Sequence, residues 1–123
     1  MQLEGFIKTQ IESVDDLRAL LLLSRNPQGR WDAIALAARL YVPPAAEEEA
    51  LARLAKQNLV VGAGNPPRYH YQLQSSELAK MVSELAEMNR KQPVTLINLV
   101  HANAKARDLQ AFAAAFKLKR EKG

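Results

Sequence analysis

The chain has 123 residues and a mass of 13.7 kDa, a size that buries roughly two-thirds of the surface the unfolded form exposes. Apolar residues make up 48% and charged residues 24%, no apolar run approaches the ~20 residues that cross a bilayer, and cysteine is absent, which excludes disulfide scaffolds, thiol nucleophiles and thiolate metal sites and leaves the expectation of a cytoplasmic protein with no membrane partner. The net charge of +4 is not spread evenly: residues 1–74 balance eight Lys/Arg against eight Asp/Glu, and the whole excess lies in residues 75–123 and above all in the final KLKREKG.

In chain order, residues 1–12 place Phe6, Ile7 and Ile11 on one side of a short helix or in a strand. A helix starts at Ser13, an N-cap residue with Asp16 three positions on, close to a capping box. Asp15 and Asp16 in its first turn suit the helix dipole. It runs to about Arg25 and presents Val14, Leu17, Leu20 and Leu21, and Asn26-Pro27-Gln28-Gly29 then reads as a turn. A second helix spans about Asp32 to Tyr41 with Ile34, Ala37, Leu40 and Tyr41 inward, until Pro43 and Pro44 stop it.

Pro44 also suits the first position of a following helix, which runs to about Gln57 with Leu51, Leu54 and Ala55 inward and Asn58 as terminator. Leu59–Val61 and Arg68–Leu73 are β-rich runs flanking Gly, Ala, Asn and Pro, the pattern of a β-hairpin with a loop. After Ser75 and Ser76, Leu78, Met81, Val82, Leu85 and Met88 recur at helical spacing. Pro93 opens a stretch with Leu96, Ile97, Leu99 and Val100, and Asn103 is expected to cap a last helix carrying Leu109, Phe112, Ala113 and Phe116.

Helix, helix, short turn, helix and hairpin is an order that resembles the winged helix-turn-helix fold, and ALARLAKQNLVVGAGNPPRYHYQL resembles the recognition helix and wing of small bacterial regulators of the MarR-like and PadR-like kinds. The fold class expected is mainly α with a small β-hairpin wing, followed by C-terminal helices. Residues 1–74 form the winged helix-turn-helix domain and 75–123 a helical extension placed like the dimerisation helices of those regulators. The resemblance implies a DNA-binding transcriptional regulator, acting as a homodimer on duplex DNA. Its dimer residues are then Leu78, Met81, Val82, Leu85, Met88, Leu96, Ile97, Val100, Leu109, Phe112 and Phe116.

The nucleic-acid contacts it implies are Arg30, Arg39, Ala45, Glu49, Arg53, Lys56 and Arg68. On a helical wheel with Leu51 and Leu54 inward, the outward positions are Ala45, Ala46, Glu49, Ala52, Arg53 and Lys56. Alanines cannot read base donors and acceptors, Glu49 can pair with Arg53 at i,i+4, and carboxylates aimed at phosphates repel them. The alternative reading is therefore a winged-helix protein-interaction module that does not bind DNA.

Enzyme chemistry finds no support. His70 and His101 stand 31 positions apart with no metal-ligand spacing. The Gly62-Ala63-Gly64 run lies in the expected hairpin rather than between a strand and a phosphate-binding helix. The serines lack a nucleophile-elbow context. No metal and no cofactor are expected. Glu47, Glu48 and Glu49 read as first-turn carboxylates on the helix dipole, and Trp31 as a residue packed over the core.

Overall fold

A computed structural model describes the backbone of residues 2–73 and 75–122, and the side chains of residues 3–73 and 75–115. The elements are α1 (Gln2–Gln10), α2 (Val14–Arg25), α3 (Ala33–Leu40), α4 (Pro44–Lys56), β1 (Val60–Ala63), β2 (Arg68–Tyr71), α5 (Ser76–Lys91) and α6 (Pro93–Lys122). The class is the expected one: mainly α, with one two-stranded antiparallel hairpin.

Local chemistry accounts for the boundaries. Ser13 caps α2, its Oγ accepting from the Asp16 backbone N–H at 3.2 Å and donating to Asp16 Oδ1 at 2.9 Å. Asp32 caps α3 by accepting from Ala35 N–H at 2.7 Å, and Ser75 caps α5 through Leu78 N–H. Asn58 ends α4 as the residues predict: it sits at φ 63°, its N–H reaches Ala55 O and the next N–H, of Leu59, reaches Leu54 O, both at 3.0 Å. This is the Schellman pattern, with Asn taking the left-handed position that glycine more often fills. In the hairpin Val60 pairs with Tyr71 and Gly62 with Tyr69. A Cβ at residue 62 would lie 2.6 Å from the Tyr69 ring, so the ring lies where a side chain would stand.

Trp31 adds a short third rung to the wing. Its N–H donates to Tyr69 O at 2.9 Å and Tyr69 N–H donates to Trp31 O at 2.7 Å. The hydrophobic core is one cluster that draws Phe6, Ile7 and Ile11 from the α1 side, Leu17, Leu20, Leu36, Leu51, Leu54 and Leu59 from the middle, and Met81, Val82, Leu85, Leu96 and Val100 from α5 and α6.

Residues 2–10 take the helical one of the two alternatives left open, and three expectations are corrected. α6 is one helix from Pro93, with Asn103 inside it rather than capping a new one. Ile34 and Tyr41 point outward, 70% and 94% exposed. The inner stripe of α3 is instead Ala33, Leu36, Ala37 and Leu40, the i, i+3, i+4, i+7 set of a helix this short, and Tyr41 has left the helix into the left-handed region at φ 58°. Most consequentially, Met81, Val82, Leu85, Leu96 and Val100 are buried within the chain itself, and Leu78 and Met88 pack half-buried against the same cluster. The five buried side chains are taken up inside the chain, where α5 and α6 pack on α1, α2 and each other. Ile97 is half-buried. Leu109 and Phe112 stay 60% and 71% exposed, and the Phe116 side chain lies outside the described residues.

Candidate nucleic-acid interface

Helices α3 and α4 meet at the tight Tyr41–Val42–Pro43 turn, where Val42 N–H reaches back to Ala37 O at 3.1 Å. Pro44 then occupies the first position of α4, where the missing N–H costs nothing. α4 lies against α2 and α3 through Ala50, Leu51 and Leu54, all fully buried. Its outer face carries Ala45, Glu48, Glu49, Ala52 and Lys56, all exposed.

Arg53 departs from the wheel. It lies half-buried and turns back toward α2. There its Nε donates to Asp16 Oδ1 and Oδ2 at 3.1 and 3.0 Å, and its Nη2 donates to Asp16 Oδ1 at 2.7 Å. The Asp16 carboxylate is fully buried and also receives the Ser13 hydroxyl, while Glu12 stands 3.9 Å from Arg53. Hydrogen bonding to Asp16 raises the Arg53 pKa further above its already high ordinary value. The guanidinium therefore joins α4 to the start of α2, with Asp16 rather than Glu49 as its partner. As a surface cation for phosphate it is largely committed, a correction to its place on the outward face.

The remaining cations sit around the α3–α4–wing edge. Arg30, Arg39, Lys56 and Arg68 are all exposed, and the Arg39 guanidinium lies over the Trp31 ring, 5.5 Å from its centroid. A cleft of about 290 Å³ on the same edge is lined by Asp32, Ala33, Ile34, Glu48, Pro66, Pro67 and Tyr69. The edge is thus mixed: exposed cations together with alanine, carboxylate and apolar groups. Base-reading side chains of the Asn, Gln or Arg kind are not found on the exposed first two turns of α4.

Three residues carry weight in this geometry that sequence reasoning gives other roles or none. Asp16, a first-turn acid by its position, is the buried anchor of Arg53. Arg107, on α6, donates to the Glu12 carbonyl at 2.9 Å and to the Lys8 carbonyl at 3.5 Å. Glu47, expected as a dipole-facing surface acid, is fully buried, and neither of its carboxyl oxygens has a hydrogen-bond partner among the described residues. Burial, with the nearby Asp15 and Asp16 charges adding to it and Arg53 opposing, pushes its carboxyl up to about 7. A helical-wheel signal for Glu47 does exist, since it stands at i−4 and i−7 from Leu51 and Leu54.

No protein-family model and no curated protein sequence matches the chain. Solved structures do. The adhesin competence repressor AdcR of Streptococcus pyogenes aligns over 96% of this chain and 87% of its own, at 20% identity and a TM-score of 0.51. ZitR of Lactococcus lactis, in a cysteine-to-serine mutant form, aligns over 90% and 77%, at 17% identity and a TM-score of 0.52. RV1404 of Mycobacterium tuberculosis aligns over 94% and 83%, at 19% identity and a TM-score of 0.50. The fold is a winged helix, similar to the folds of these proteins. Within this winged helix α3 and α4 form the helix-turn-helix and the β1–β2 hairpin is the wing. Among the described residues no helix is long and apolar enough to cross a membrane.

Proposed function

We propose that the chain is a DNA-binding transcriptional regulator that works as a cytoplasmic homodimer and has no enzymatic activity. The observation that supports this best is the likeness to a repressor over nearly the whole chain, helix-turn-helix, wing and C-terminal helices together. Arg30, Arg39, Lys56 and Arg68 are the side chains assigned to phosphates, with Ala45 and Glu49 near the backbone but reading no base. The dimer contact belongs to the outer part of α6, where Leu109 and Phe112 are exposed three residues apart on one face.

A second reading, a protein-interaction module, is favoured by the carboxylates and the exposed Ile34 on the same edge. One titration separates the two. With about three of these four cations on phosphates in each subunit, a dimer on random duplex should show log affinity falling against log salt with a slope of roughly −5. Preference among sequences should stay well below ~10³-fold. The absence of binding at low salt removes the DNA reading and leaves the interaction module. Light scattering that finds a monomer at tens of micromolar removes the homodimer.

A further inference from the structure

A carboxyl group fully removed from water normally has a cation or several donors around it. Glu47 has neither in hydrogen-bond reach, although it sits where α4 meets the start of α2. The charged groups around it are few. From α2 come Asp15 and Asp16, both of which oppose a second negative charge, and from α4 itself comes Arg53, which favours one but is held by Asp16. Glu12, at the α1–α2 junction, stands 3.9 Å from that guanidinium. α3 contributes only Arg39, stacked over Trp31, and β1 carries no charged residue. Glu48 and Glu49 on α4 face solvent.

We propose that Glu47 is a proton-operated latch on α4: protonated, it seats the helix against α2, and when its proton leaves to solvent the buried carboxylate, with no hydrogen-bond partner among the described residues, loosens that seat. The consequence is directional. A carboxyl whose value is raised in the folded state contributes stability that is complete below its unfolded value of 4.5 and falls away as pH rises through about 7. The winged helix should therefore hold α4 firmly in mildly acidic solution and less firmly in alkaline solution. The inference does not require α4 to touch DNA, so it stands or falls separately from the proposed function.

The test compares the full-length protein with Glu47→Gln, which keeps the shape and removes the ionisation. A rise from 4.5 to about 7 corresponds to roughly 300-fold in the folding equilibrium over the complete window, most of it between pH 5 and 8. Denaturant unfolding should show the wild-type folding constant falling some 10- to 100-fold more than that of Glu47→Gln across that interval. At pH 8 the α4 amides of the wild type should exchange faster than those of the variant, while the Leu96–Val100 amides keep the same ratio as global unfolding. Should Glu47→Gln fail to fold, carbon-13 labelling of the wild-type glutamates decides the matter alone. A Glu47 carboxyl titrating near 7, moved lower by Asp15→Asn, supports the latch. An ordinary value near 4.5, or identical pH profiles for the two proteins, overturns it.

Discussion

Two regions of the winged helix carry basic side chains, and they use them in opposite ways. At the corner where α1 meets α2, Arg53 arrives from α4 and Arg107 from α6, and both are bound to oxygens of residues 8–16. At the α3–α4–wing edge, Arg30, Arg39, Lys56 and Arg68 stay exposed. The first set holds helices in place and the second is free to meet a polyanion. A cation counted in the sequence is thus not yet a cation available to a partner. Available charge is decided by whether a buried carboxylate or an open helix C-terminus stands within reach.

The largest effect expected from breaking that contrast is at the corner. Arg53→Ala leaves the buried Asp16 carboxylate with only the Ser13 hydroxyl as a donor among the described contacts, and stability should drop by about 3 kcal/mol in chemical denaturation. Arg107→Ala comes next. It removes a charged donor from the carbonyls that end α1, and a loss of about 1–2 kcal/mol is expected, with faster amide exchange in α1 and the outer part of α6. The smallest effect on stability is at the edge, where Lys56→Ala with Arg68→Ala should stay within about 0.5 kcal/mol of wild type. That pair should nevertheless weaken DNA binding and flatten the salt slope by about two per subunit. If Arg53→Ala weakens DNA binding without loss of stability, the contrast between the two regions is wrong.

The order of elements was legible because caps, breakers and periodicities are local. Ser13, Asp32, the two prolines at 43 and 44, Asn58 and Ser75 mark their boundaries through neighbours within a few positions. What covers an apolar stripe was not legible. Leu96 and Val100 in the first turns of α6 stand four apart and Leu109 and Phe112 in its later turns three apart, both spacings that share one helix face, yet the former lie inside the core and the latter outside it. Periodicity says that a face is apolar and is silent on which surface meets it. The partnership of Asp16 with Arg53 spans 37 positions and left no local trace. For the candidate site, the residue types on the edge were legible, and the inward turn of Arg53 was not. A wheel reports the direction of Cα–Cβ, whereas a long side chain follows its partner.

The paired bonds between Trp31 and Tyr69 give the molecule a built-in optical gauge. Trp31 is the only tryptophan in the chain, it is laced to the second wing strand by both of its backbone groups, and it lies beneath the Arg39 guanidinium. Bending of the hairpin away from the helices strains those two bonds, and displacement of Arg39 uncovers the indole. Intrinsic fluorescence therefore follows the wing without any added label: its emission colour and quenching register, in one signal, whatever docks on the edge or pries it open.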